Sequence, residues 1–351
     1  MAKLKKYKLF GGRIVKTGIA VLFTTSFCYL LGLPMVFAAI IAIVTIEPTA
    51  ADSIKKGIVR FPAALIGASL SMTFTYFFGH TPLTFTLAAV TTIFVCIKLK
   101  LEAGALIATL TAIMMIPVTH DYYFLAFIER TSTTIIGLIV STLVNLLILP
   151  AKFSEQIKQR NERLYTETAH LFMLRCGELL KNNKCISKQT QDKHRYLTNE
   201  LKKSFQLCHY QRDEWKFHRH STGEMRDYFY EYKKLECLQQ IHYYLGNLFS
   251  ITKEIQLFNK QEREMIMKIV ESVVKVMKDP AHRMSPEYLR EVRDLDELFW
   301  HTNESVHKEL TKKYHHHFTP STIILFVVLS IHDVLEELEH LARHQIERGR
   351  L

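Results

Sequence analysis

Acidic residues are scarce in the first 150 positions of this 351-residue chain, where Glu47, Asp52, Glu102, Asp121 and Glu129 stand alone against 12 lysines and arginines, a net of +7. The remaining residues carry 33 basic against 29 acidic side chains, or +4, and the two parts sum to the +11 of the whole. The basic excess therefore sits beside apolar segments. The second part mixes both signs, which argues against a phosphate-tracking face and against nucleic acid as a partner. Nucleotide motifs are missing as well. Neither a GxxxxGK nor a GxGxxG run occurs, so neither nucleotide hydrolysis nor a dinucleotide cofactor is supported. Histidines are plentiful, with His315, His316 and His317 in a row and His340 and His344 one helical turn apart. No HExxH occurs and no cysteine pair joins them, so no metal site is expected. No serine or cysteine nucleophile stands in a recognisable setting. The expectation is a non-enzyme without a cofactor. Cys28, Cys96, Cys176, Cys185, Cys208 and Cys237 follow no metal or redox spacing, which fits reduced thiols and not a disulfide framework.

What the chain has is apolar length. Mean hydropathy is near zero, but the average hides an apolar part up to Pro150 and a charged part after it. Six apolar segments can be marked: Ile14–Leu31, Met35–Ile46, Ile58–Phe78, Leu83–Ile97, Ala103–Val118 and Phe124–Leu149. The first, third, fourth and sixth approach or reach the ~20 residues needed to cross a bilayer. The lysines ahead of Ile14 resemble a signal peptide, but no small-residue cleavage site follows, and a retained first span is expected. The second and fifth segments are short and end at proline-marked breaks, Glu47–Pro48 and Pro117. Paired short segments point to a transport site at a repeat interface. They equally describe two short tilted helices with snorkelling flanks.

The segments repeat. At an offset of 70 residues Ile58 meets Ile128, Arg60 meets Arg130, Ile66 meets Ile136, Gly67 meets Gly137 and Ser71 meets Ser141. Upstream, without a gap, Ala38, Ala42, Ile43 and Ile46 meet Ala108, Ala112, Ile113 and Ile116. A register this constant, with an arginine inside it, reads as an internal repeat.

Lysine and arginine give orientation. They occur before the first segment (Lys3, Lys5, Lys6, Lys8, Arg13), between the second and third (Lys55, Lys56), between the fourth and fifth (Lys98, Lys100) and after the sixth (Lys152, Lys158). The connections Gly32–Pro34, Gly79–Pro82 and Thr119–Tyr123 have none. Both termini are then expected to be cytoplasmic. With three spans in each repeat, the two repeats must be inverted, which puts Arg60 near the inner face and Arg130 near the outer one.

On a helix Arg60, Ala63, Gly67 and Ser71 share a face, and Arg130, Thr133, Gly137 and Ser141 copy it. Gly67, Ser71, Gly137 and Ser141 read as close-packing positions. Arg60 and Arg130 are candidates for an anion pathway, because an arginine in hydrocarbon is costly to place. The alternative is an arginine that snorkels to head groups. Lys16 and Asn145 are further buried polar candidates, Lys16 within snorkelling reach of the inner face and Asn145 suited to an interhelical hydrogen bond. His80 and His120 lie in outer loops and as single residues carry no assignment.

From Ala151 onward helical stripes follow one another. Phe153 to Leu179 form the first, Leu197 to Cys208 the second, Tyr228 to Leu248 the third, Ile266 to Met277 the fourth and Leu289 to Phe299 the fifth. Ser221 with Glu224 reads as a capping box, and Thr319–Pro320 as the cap and first turn of a last helix. The run Ile323–Ile331 is too short to span. The expected fold is all-α: a six-span membrane domain over Met1–Pro150, built from two inverted three-helix repeats, and a cytoplasmic helical bundle over Ala151–Leu351.

The repeated Arg60–Gly67 and Arg130–Gly137 spacing, with the Thr45–Pro48 segment, resembles the bacterial aromatic acid exporter family in its Gram-positive form. More distantly it is similar to the fusaric acid resistance proteins and the plant aluminium-activated malate transporters. The resemblance covers nearly the whole chain. It implies organic-anion efflux across a bacterial plasma membrane, and a homodimer, since larger relatives carry two six-span units in one chain. The alternative is a membrane-anchored sensor or docking protein whose helical domain binds a partner without transport.

Overall fold

The computed structural model describes residues 12–117, 123–148, 153–180, 186–251, 258–308 and 319–347. Lys3, Lys5, Lys6, Lys8, His120, Lys152, Cys185 and His315 to His317 lie outside these. Among the described residues the secondary structure is entirely helical, as the periodicity implies. The chain forms two compact units, one of residues 1–152 with 210–219, the other of residues 153–209 with 220–351. A division at Pro150 alone would assign Tyr210–Arg219 to the second unit, whereas it groups with the first.

The first unit contains α1 (Gly12–Leu30), α2 (Met35–Thr45), α3 (Ala50–Phe78), α4 (Pro82–Lys98), a 3-10 turn at Glu102–Gly104, α5 (Ala105–Met115) and α6 (Tyr123–Leu147). Three of these, α1, α3 and α6, are long and apolar enough to cross a membrane. The segments α2, α4 and α5 are apolar but shorter, at 11, 17 and 11 residues. Helix α3 starts eight residues earlier than its apolar run. Thr49 accepts a hydrogen bond from the Asp52 amide and caps the helix, so Lys55 and Lys56 lie in its first turns and not in a connection. Gly79, at φ +62°, ends it.

Alanines recur in the interior of this unit, beside larger buried groups such as Phe37, Ile41 and Ile107. Ala20, Ala38, Ala42, Ala63, Ala88, Ala108 and Ala112 are fully buried, while Leu22, Phe23, Tyr76, Phe77, Phe94 and Phe124 are exposed. Large apolar groups outside and recurrent small ones inside is the pattern of helices packed in lipid, where close backbone approach, not apolar burial, holds helices together.

Helix pairing is cross-wise. Helix α3 packs on α4, α5 and α6, α6 packs on α1 and α2, α1 packs on α2, and α4 packs on α5. Shifting every element by 70 residues turns α1, α2 and α3 into α4, α5 and α6 and maps these pairings onto one another. The glycines obey the same mapping. A Cβ at Gly67 would strike the Ala108 carbonyl, and one at Gly137 would lie 2.7 Å from Ile41 Cγ2 and 3.4 Å from the Ala38 carbonyl. Ala38 and Ala108 are themselves 70 residues apart. Ser71 adds a 2.6 Å hydrogen bond to the Ala112 carbonyl, whereas the Ser141 hydroxyl is buried with no hydrogen-bond partner.

The second unit is built from α7 (Ser154–Leu180), most of α8 (Lys188–Glu214), α9 (Thr222–Phe249), α10 (Lys260–Lys278), α11 (Pro286–Lys308) and α12 (Pro320–Ile346). Helix α7 packs on α9 and α10, and α12 packs on α9, α10 and α11. The capping box at Ser221 and Glu224 is present, a second joins Asn259 to Glu262, and Thr319 caps α12 ahead of Pro320. The core is aliphatic: Leu238, Ile241, Leu245, Ile269, Val270, Val273, Ile324, Ile331 and Leu335 are fully buried. Arg175 is buried within it and satisfies three interactions at once. Its guanidinium donates to the Leu248 carbonyl at 2.9 Å and the Ile251 carbonyl at 3.2 Å, and pairs with Glu178 at 3.1 Å. It thereby closes the carbonyl end of α9, which a helix leaves open. Five cysteines, Cys28, Cys96, Cys176, Cys208 and Cys237, are free and buried.

Candidate substrate pathway

Three of the four polar candidates meet in one place. Lys16, on α1 and 5% exposed, donates to Asn145 Oδ1 of α6 at 2.8 Å and to the Asn145 carbonyl at 3.2 Å. It does not snorkel outward. Asn145 in turn donates to Ser53 Oγ at 2.7 Å and to the Glu47 and Thr49 carbonyls at 3.1 Å each. One amide side chain thus ties α1, α3, α6 and the α2–α3 connection. Glu47, in that connection, carries the link onward. Its carboxylate pairs with Arg60 Nη2 at 2.6 Å and Lys56 Nζ at 2.8 Å. Arg60 also reaches the Ala103 carbonyl at 3.4 Å, and its Nη1 is buried with no hydrogen-bond partner.

Glu47 is the residue the sequence reading missed as a site residue. It was visible only as half of the Glu47–Pro48 break. A lone carboxylate beside two basic residues of the next helix, in a segment with five acids, was the available signal. Glu214 is the other omission. It comes from the end of α8, is 1% exposed, and accepts from the Ala50 amide at 3.0 Å, at the N-terminus of α3. His218, four residues on, bonds to the Leu146 carbonyl at 2.7 Å. Nothing in the sequence marks these two, because both lie in a charged helical stretch where such residues usually face solvent.

Arg130 stands apart, half-buried on α6. It donates to the Met114 carbonyl at 3.0 Å, and its guanidinium lies over the Phe37 ring at 4.4 Å from the centroid. Ala103 and Met114 bracket α5, so the two arginines grip opposite ends of one short helix, separated by about 16 Å of helix rise. Positions equivalent to Lys16, Asn145 and Glu47 in the other repeat are Thr86, Thr75 and Pro117. The charged network therefore has no copy around Arg130, and the two ends of α5 differ in chemistry.

No group of three or more His, Cys, Asp or Glu residues arranged to hold a metal is found among the described residues. The His340 and His344 rings pack edge to face at 4.6 Å.

A profile described as aromatic acid exporter family member 1 matches residues 8–148, which include every residue named in this site except Glu214 and His218. Relatives match over nearly the full length. A UPF0421 protein of Bacillus cereus (strain ATCC 10987 / NRS 248) is 43% identical over 341 residues, covering 97% of this chain and 96% of the relative. The chain belongs to the aromatic acid exporter family. A UPF0421 protein of Halalkalibacterium halodurans is 35% identical over 336 residues, covering 95% of this chain and 90% of the relative. Another, of Staphylococcus haemolyticus, is 38% identical over 304 residues, covering 83% and 90%. Membership of this exporter family and the apolar helices together make the chain a membrane protein of a transport family. The family match stops where the second unit begins, while the full-length relatives extend through it.

Proposed function

We propose that this exporter conducts organic anions, aromatic carboxylates among them, from the cytoplasm outward, with Arg60 and Arg130 as an inner and an outer station. The observation that carries the reading is the placement of the two repeat-equivalent arginines at the two ends of α5. A carboxylate leaving water needs a charged partner, and the guanidinium fork offers paired donors. Arg60 Nη1 is a buried donor without an acceptor, and Arg130 spends one donor on a carbonyl, so each retains donors for a passing anion. Two moderate stations suit passage better than one tight site.

In this reading all six helices cross the bilayer, the shorter ones with polar flanks at the interface, and the two repeats are inverted. Cross-wise pairing supports this, since each repeat's third helix packs on the first two of the other. The lysines and arginines support both termini and the second unit lying in the cytoplasm of a bacterial cell. A second copy completes a homodimer. An apolar groove between α3 and α6, of about 490 Å³ and flanked by Ile58, Ile135 and Ile139, is available for it. Moving one negative charge out of an interior-negative cell gains roughly 2.3 kcal/mol per 100 mV, enough for a gradient of about 50-fold without ATP.

Purified protein in liposomes with an imposed potential, assayed for movement of benzoate and of malate, tests the reading. Potential-dependent flux above that of protein-free vesicles is expected. Flux equal to protein-free vesicles for both anions would leave the membrane-anchored docking reading in its place.

A further inference from the structure

Lys234 lies in α9 of the second unit and is 4% exposed. Its ammonium has no hydrogen-bond acceptor and no ion-pair partner among the described residues. The groups nearest to it are two aromatic faces, the Tyr165 and Tyr230 rings, each 5.5 Å from Nζ to centroid. The Tyr165 hydroxyl donates to the Lys234 carbonyl at 2.6 Å. The Tyr230 hydroxyl is buried and has no hydrogen-bond partner among the described residues. Both Lys234 and Tyr230 line a cavity of about 220 Å³ between α7 and α9. That volume is several times the ~30 Å³ share of one water molecule and suits a small organic molecule.

A largely buried lysine without an acceptor among the described residues and a buried phenol without a partner there are costly unless something completes them. Burial lowers the Lys234 pKa from its ordinary value, while Glu231 and Glu162 oppose that shift. The signs of charge around the cavity are mixed. Lys158 joins Lys234, but Glu155, Glu162, Asp227 and Glu231 line the same space. Glu231 is held in place by Asn161 Nδ2, at 2.9 Å from its Oε2. A simple anion would meet those carboxylates, and a simple cation would meet Lys234 and Lys158. A molecule with both charges on neighbouring atoms satisfies each. Ile157 and Tyr228 supply apolar wall for its remainder.

We propose that this cavity is a binding site for a small zwitterion of the α-amino-acid type, with Lys234 as counter-ion to its carboxylate, the Tyr230 hydroxyl as a second donor, and the Glu155 and Glu162 carboxylates facing its ammonium. The site is independent of the arginine pathway and lies wholly within the second unit.

Full-length protein in detergent micelles is titrated calorimetrically with L-alanine, L-leucine, L-glutamine and L-phenylalanine. Matched probes are the deaminated acids propionate, 4-methylpentanoate and 3-phenylpropionate, and the decarboxylated amine phenethylamine. At least one amino acid is expected to bind, and its counterpart lacking either charge should bind about tenfold more weakly or worse, since each removes a charge-assisted hydrogen bond. Lys234→Met, which keeps volume and removes the charge, should abolish binding. Tyr230→Phe, which deletes one oxygen and leaves the ring, should weaken it severalfold and serves if Lys234→Met fails to fold. Arg130→Ala should leave binding unchanged, which separates this site from the membrane pathway. Absence of binding by all four amino acids, equal binding of a deaminated or decarboxylated probe, or affinity unaltered in both Lys234→Met and Tyr230→Phe would each overturn the proposal.

Discussion

Arg60 and Glu47 form an ion pair of 2.6 Å between side chains only 8% and 11% exposed. The arginine of the inner station is therefore neutralised in part by the chain itself, and an anion arriving there competes with a built-in carboxylate. Taking Glu47 away leaves a buried guanidinium without its counter-charge, and breaking one side of a buried pair costs about 3–5 kcal/mol. Glu47→Gln should thus lower the unfolding midpoint of the detergent-solubilised protein clearly, whereas the double variant Glu47→Gln/Arg60→Gln should recover most of the loss. A double-mutant cycle on thermal midpoints measures this. Additive losses would show that the pair carries no coupling.

Both repeats place a glycine where another helix's backbone passes. Gly67→Ala should be poorly tolerated, because the new methyl meets the Ala108 carbonyl, which cannot yield without moving α5. Gly137→Ala meets the Ile41 side chain, which has some freedom, and should be milder. Gly18→Ala has nothing within 4 Å and should behave as the parent or better, since alanine favours helix by up to about 1 kcal/mol. Expression level and monodispersity in mild detergent rank the three, and the order Gly67, Gly137, Gly18 is the expected order of damage.

How far the sequence revealed this depended on distance along the chain. The helices and the caps at Ser221 and Thr319 are local signals, and each appears where its residues place it. The α3 start was displaced because Thr49 and Asp52 form a cap ahead of the apolar run, so apolar length alone undercounted the helix. The pathway candidates were legible as buried polar residues, but their partners were not. Lys16 and Asn145 are 129 residues apart, and Ala50 and Glu214 are 164 apart. No periodicity reports contacts at that separation. Arg175, which closes α9 by donating to Leu248 and Ile251, was invisible for the same reason.

Acid should loosen the second unit. Burial lowers the pKa of His242 to about 4, with His194 stacked against it, and burial with the nearby Lys234 charge lowers that of His282 to about 4. Both rings are thus held neutral in the fold but accept protons near pH 6.5 when exposed. Their stabilising contribution is complete above about pH 6.5 and is lost as the pH falls from there toward 4, at up to a few kcal/mol for each ring. The hydrogen-exchange protection factors of α9 and α10 in the full-length protein should fall between pH 7 and pH 5. His282 has φ +51°, which asparagine tolerates. The variant His242→Gln/His282→Asn should show a flatter pH dependence, and an unchanged one would place the sensitivity elsewhere.

Topology has its own test. Single cysteines at positions 79–82 should react with a membrane-impermeant maleimide added to intact cells, and single cysteines in the second unit, such as at exposed Tyr243, should react only after lysis. Labelling of Tyr243→Cys in intact cells would reverse the orientation.

The central claim is that Arg60 and Arg130 handle the moving anion. The decisive measurement is potential-driven benzoate flux in liposomes for Arg130→Ala, Arg130→Lys and Arg60→Ala, each matched to the parent in reconstituted amount and thermal midpoint. Arg130→Ala should reduce flux by tenfold or more, the scale expected for losing one charged hydrogen-bonding partner of roughly 1.5–3 kcal/mol. Arg130→Lys should retain part of it, because the charge stays and the fork is lost. Parental flux in both alanine variants would contradict the account and leave the arginines as structural groups that only hold the two ends of α5.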